Sequence, residues 1–161
     1  MERSKRIVFV SHCILNQNTV VEPLARSRGA YGDIVRLLVD KGIGIHQMPC
    51  PEFRHLGLER RPMIKAEYDT KEYRDLCRGL ALDTFGIIEE YKKNSYEILG
   101  MIGILESPTC SISKKRGIFM EELMKILDEK NYIISYYDVP ADYYDGEKGK
   151  AFIQSLEENL K

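Results

Sequence analysis

The chain has 161 residues, a size at which one hydrophobic core suffices for folding, and a single α/β domain over residues 1–161 is expected. Its 24 basic and 25 acidic side chains leave a net charge of -1, which gives no electrostatic case for nonspecific binding along a phosphate backbone. No stretch approaches the roughly 20 continuous apolar residues that span a bilayer.

The N-terminal "MERSKRIVFVSHC" has no signal-peptide pattern, so a cytoplasmic protein without a membrane partner is expected. In that compartment four widely spaced cysteines, Cys13, Cys50, Cys77 and Cys110, argue for metal binding, reactivity or burial ahead of disulfides. Ten tyrosines are compatible with a compact core or with an interface between copies.

"RIVFVSH" reads as a first apolar strand. "GDIVRLLVDKG" then reads as a helix closed by Gly42, and "IGIHQM" as a second strand. Between Asp69 and Asn94, the residues Tyr73, Leu76, Cys77, Leu80, Ile87, Ile88 and Tyr91 recur at near-helical spacing, giving one long helix or two joined near Gly86. "EILGMIGILE" is almost continuously apolar, as a parallel strand covered on both faces should be. A helix in "GIFMEELMKILDEKN", a strand in "YIISYYDV" and a closing helix in "GKAFIQSLEENL" complete the order.

Strand and helix alternate throughout. The expected fold is an α/β, Rossmann-like or flavodoxin-like three-layer sandwich with a mainly parallel sheet and right-handed crossovers. The irregular stretches are Asn16 to Ala30 and Pro51 to Tyr68, each following a junction that carries a cysteine. In such folds function gathers outside the C-terminal ends of the strands. Cys13, Cys50 and Cys110 follow the first, second and third strands, and they meet in one crevice if those strands are neighbours.

Three thiols around a crevice suit a soft metal or an iron-sulfur cluster. Zinc would need a fourth ligand, from His12, His46 or His55. A reactive cysteine supported by histidine or glutamate, and three unrelated packing cysteines, are the other readings. Cys77 lies on a helical apolar stripe and is expected in the core.

Glu52 and Ser107 should enter the same crevice, where a carboxylate can move a proton and a hydroxyl can hydrogen-bond a reacting centre. Alternatively they cap a helix and a turn. His12 faces the crevice or the opposite side, and His46 is expected as a hydrogen-bonded core residue. Asn16 and Asn18 contact substrate or cap a turn, while Arg60 and Arg61 clamp a planar or acidic ligand or form a solvated charge run. Neither a phosphate-binding P-loop nor a G-x-G-x-x-G turn is present.

"FVSHCILN", "PCPE" and "ESPTCS" together resemble the thiouracil desulfidase family over about residues 6 to 120. The resemblance implies a Rossmann-like domain in which Cys13, Cys50 and Cys110 hold a 4Fe-4S cluster, leaving one iron free of protein ligands. It further implies Glu52 and Ser107 as the catalytic acidic residue and serine, while the reading of the residues themselves adds His12, Asn16, Asn18 and Arg61 as candidates for contacting substrate. The implied activity is non-redox removal of sulfur from the thiocarbonyl of a small thiolated heterocycle or nucleobase, as sulfide or to a sulfur acceptor. A non-enzymatic cluster- or metal-binding module or a sulfur carrier is the alternative, and thiolated RNA is a larger-scale substrate without electrostatic support. The chain departs from the family pattern in "CILNQN", in "FRHLGLERRP" and in "SPTCS", a divergent branch in the loops that shape the pocket.

Overall fold

A computed structural model describes residues 1–161. Four strands, β1 (Arg6–Val10), β2 (Gly44–Gln47), β3 (Glu97–Ile104) and β4 (Tyr136–Val139), form one sheet in the order β2-β1-β3-β4. Every pairing is parallel, with Val10 opposite Gln47 on one side and Ile102 on the other. This is the α/β sandwich the alternation predicts. The seven helices are α1 (His12–Leu15), α2 (Gly32–Asp40), α3 (Pro51–Leu56), α4 (Lys65–Tyr68), α5 (Lys71–Lys93), α6 (Ile118–Glu129) and α7 (Lys150–Asn159).

The apolar run of β1 feeds both faces because neighbouring strand residues point in opposite directions. Ile7 and Phe9 join Met101 beneath α5 and α6, in a core with Tyr73, Leu80, Phe85, Ile88, Phe119 and Leu123. Val8 and Val10 join Ile102 on the other face, packed on Ile34 and Leu38 of α2 and Leu156 of α7. The two layers bury most of β1 and the middle of β3, the centre of the sheet from which the connecting loops emerge.

The fourth strand and the two irregular stretches differ in extent from the periodicity, while the long helix takes the first of its two readings. The region from Asp69 to Asn94 holds one helix that runs through Gly86 without a joint, since Leu80, Ala81, Thr84, Phe85 and Ile88 bury one continuous stripe against α6. Thr70 starts it by accepting the Tyr73 N–H at 3.2 Å. The fourth strand pairs only over Tyr136–Val139, and Ile133 stands fully exposed ahead of it. Both stretches read as irregular contain short helical turns, 3-10 turns at Gln17–Thr19 and Glu22–Leu24 in the first and α3 and α4 in the second. No helix is long and apolar enough to cross a membrane.

In this strand order the chain turns one way from β1 to β2 and the other way into β3. The reversal opens a crevice between β1 and β3 at their C-terminal ends, where such sheets bind ligands.

Candidate functional site

All three junction cysteines reach that crevice. The chain leaves β1 at Ser11, whose N–H bonds the Ile102 carbonyl at 2.9 Å, and coils at once into the single turn of α1. Gln17 Nε2 and Gln47 Nε2 hold the Cys13 and His12 carbonyls, each at 2.9 Å, so Cys13 is fixed from both sides. Cys50 follows β2 as the N-cap of α3, and its sulfur accepts the Phe53 N–H at 3.5 Å. Pro51 occupies the first helical turn, where its missing N–H costs nothing.

Cys110 lies on the loop after β3, folded back so that its carbonyl accepts the Ile104 N–H at 3.3 Å. The return is close: a Cβ on Gly103 would stand 2.5 Å from that carbonyl. Ser107 Oγ accepts the N–H groups of Thr109 and Cys110 at 3.2 and 3.0 Å. Asp138, at the end of β4, accepts from Ile112 N at 3.1 Å and from Ser113 N at 2.7 Å. Two side chains thus hold the cysteine loop against the sheet.

Together these segments enclose a cavity of about 250 Å³ lined by Cys13, Cys50, Cys110, Glu52, Ser107 and His12. Val21, Leu24, Ile104, Leu105, Pro108 and Pro140 supply apolar wall. Burial, and then repulsion from Cys50, pushes the Cys13 thiol up to about 12. Burial also raises Cys50, and raises Cys110 well above the ordinary thiol range with Cys50 and Cys13 adding to the shift. Burial thus disfavours the thiolate at all three, and at Cys13 and Cys110 the neighbouring cysteines add to it.

No three His, Cys, Asp and Glu side chains form a group that could hold a single metal ion. The thiols face a shared space without closing on one point. Zinc needs its sulfurs at about 2.3 Å from a common centre, and the supporting histidines do not arrive. His46 packs on Phe9 with ring centroids 4.7 Å apart, and His55 stacks near Tyr73 at 5.1 Å. Only His12 lines the cavity.

Glu52 stands in the first turn of α3 with Oε1 accepting from the Tyr68 hydroxyl at 3.0 Å and from Arg60 Nε at 3.4 Å. Its Oε2 makes no hydrogen bond within the protein. Ser107, having accepted two backbone donors, keeps its own proton to give. His12 Nδ1 lies 3.4 Å from Thr19 Oγ1, whose hydrogen is already donated to the Asn16 carbonyl at 2.9 Å. Thr19 can then only accept from His12, which places the imidazole proton on Nδ1 and leaves Nε2 as the acceptor. Burial lowers the His12 pKa and favours this neutral ring.

The other substrate-contact candidates lie elsewhere. Asn16 Oδ1 caps a 3-10 turn by accepting both donors of Asn18, each at 3.1 Å, and neither residue lines the cavity. Arg61 points outward, 67% exposed, and pairs with Glu67 at 2.6 Å. Its neighbour Arg60 lines the cavity instead and is 3% exposed. Cys77 is buried in the α5 core, away from the other cysteines.

Sequence reading passes over Ser11, Gln17, Tyr68 and Asp138. Ser11 Oγ is buried without a hydrogen-bond partner, and its hydroxyl opposes the rise of the Cys110 thiol. A lone small polar residue closing an apolar strand two positions before a cysteine was the available signal. Tyr68 and Asp138 are distant in sequence from the groups they hold and carry no local signal.

No family model matches the chain, and no solved structure matches it. A curated relative does: the chain is 45% identical over 159 residues, 99% of each protein, to "Uncharacterized protein MJ0003" of Methanocaldococcus jannaschii.

Proposed function

We propose that this chain, which belongs to one family with the archaeal protein MJ0003, holds an iron-sulfur cluster on Cys13, Cys50 and Cys110 and removes sulfur from a thiocarbonyl of a small thiolated heterocycle. The observation that carries the reading is the convergence of three thiols from three adjacent strand ends on one cavity that also receives Glu52 and Ser107.

The donor set suits such a group. Three soft sulfurs line one cavity, and thiolates are the ligands of multi-iron clusters. Their neighbours suit it as well: the orphaned Ser11 hydroxyl and the Phe53 N–H both address ligand sulfurs, where hydrogen bonds tune and orient a metal's ligands. When bound, a cluster with one iron free of protein ligands supplies a Lewis acid toward a thiocarbonyl sulfur.

The chain's own residues do the rest. The apolar wall accepts a flat heterocycle and excludes bulk water, which strengthens each polar contact inside. Glu52 Oε2, free of other partners, takes the proton of the attacking water. Ser107 donates its hydroxyl proton to the ligand edge while its oxygen is fixed by two backbone N–H groups. Net, C=S and water become C=O and hydrogen sulfide, with no electron exchanged.

Anaerobic reconstitution with iron and sulfide tests the reading. About four iron and four labile sulfide per chain, with a visible charge-transfer band lost in Cys110→Ser, is the expected result. Loaded protein should then convert 4-thiouracil to uracil, and Glu52→Gln should slow the conversion about 10²- to 10⁴-fold. An intact fold with little iron and no band would end the proposal, whereas sulfur delivery unaffected by Glu52→Gln would favour a carrier over an enzyme.

A further inference from the structure

Arg60 is a buried cation in a cavity otherwise furnished with potential negative charge, and three of its five N–H donors are directed at fixed protein acceptors. Nε meets Glu52 Oε1 at 3.4 Å, one terminal nitrogen meets the Gly57 carbonyl at 2.9 Å, and the other meets the Thr19 carbonyl at 2.6 Å. Gly57 ends α3 with φ +77, a backbone turn that a Cβ would strain, and the helix is so short that its end and Glu52 are held by the same guanidinium. Thr19 belongs to the opposite wall and is the residue that orients His12.

A chain of hydrogen bonds therefore crosses the cavity from His12 through Thr19, Arg60 and Glu52 to Tyr68. We infer that Arg60 is the positioning residue of the site: it sets the Glu52 carboxylate and ties the two loops, residues 16–30 and 51–68, into one frame, and does not serve as a clamp on the ligand. The inference builds on Glu52 as the proton carrier of the proposed reaction.

Several features make the frame rigid. Tyr68 is 2% exposed and takes the same Glu52 oxygen, so both supports act on Oε1 and the other oxygen is left to the ligand. The turn that presents Tyr68 is fastened by Lys65 to the Arg116 carbonyl at 2.8 Å and to Glu121 of α6. Tyr68 rests on Tyr73 with centroids 4.9 Å apart, and Tyr73 in turn bonds Thr109 Oγ1 at 2.7 Å beside the Cys110 loop. A planar fork is what this geometry needs; lysine keeps the charge and cannot span the three acceptors.

Crystal structures of wild type and Arg60→Lys give the first test, with Arg60→Gln in reserve should the lysine variant fail to fold. The expected result is a Glu52 carboxylate displaced from its wild-type position and a Thr19 carbonyl parted from residue 60. In iron-sulfur-loaded protein with 4-thiouracil, kcat should fall about 10- to 100-fold, with KM within about twofold and iron content unchanged. The Arg60→Lys, Glu52→Gln double variant should be no slower than Glu52→Gln alone, since one residue acts through the other. An unmoved Glu52, or independent losses in the double variant, would overturn the assignment. If wild type leaves 4-thiouracil unchanged while Glu52 moves in the crystals, positioning stands and the desulfidase reading falls.

Discussion

The Cys13 thiol shows how the site changes the chemistry of a single side chain. Its ordinary unfolded pKa is about 8.5, and burial beside Cys50 pushes it up to about 12 in the fold. The folded state thus prefers the protonated thiol, so the stability linked to it is fully present below the unfolded value and is lost as pH rises through the interval toward 12. In reduced, metal-free protein the urea midpoint of wild type should fall more steeply between about pH 8.5 and 11 than that of Cys13→Ala. Parallel profiles would show that the thiol feels neither the burial nor its neighbours.

Among elements, the loop after β3 depends on a residue with no side chain. Gly103 lies where the Cys110 carbonyl, Asp138 and Ile112 all come within 2.7 Å of the space a Cβ would fill. Gly103→Ala should cost about 1–3 kcal/mol as the loop is pushed from the strand, read as a lower urea midpoint, and should diminish iron-sulfur loading more than any surface substitution. A midpoint equal to wild type would mean that the loop approaches less closely than described.

The same loops show what could be read from residues and what could not. The cysteines were legible because an apolar run ends visibly at each of them, and a parallel sheet places those ends on one side. Which arginine enters the cavity was not legible. Arg60 and Arg61 are adjacent in a segment without helix or strand, so no periodicity says which one faces inward; Thr19 and Gly57 carbonyls decide it. Asn16 and Asn18 satisfy each other within a turn, a local preference that outweighed the more interesting role of contacting substrate. Gly86 marks no joint because the packed stripe around it sets the course of α5.

At the scale of the molecule, the cores and the cavity are separate. The two apolar layers lie on the faces of the sheet, while the site occupies its end and shares only Tyr31 and Ile104 with the second layer. A Cys13→Ser, Cys50→Ser, Cys110→Ser variant should consequently keep wild-type far-UV circular dichroism and lie within about 2 kcal/mol of metal-free wild type in denaturant. Loading should raise the melting temperature of wild type and leave the variant unchanged, since a ligand that binds only the native state stabilises it by mass action. Collapse of the variant would assign the thiols to packing.

The central place of β1 between β2 and β3 also sets an order in time. As the chain is synthesised, Cys13 and Cys50 can be brought together by the first pairing, but the third wall is supplied by a strand that begins at Glu97 and docks on the free edge of β1. A nascent or truncated chain lacking β3 has two thiols beside an open sheet edge and no enclosed space. A cluster held as proposed therefore has its three-walled seat only in chains that have completed the middle of the sheet.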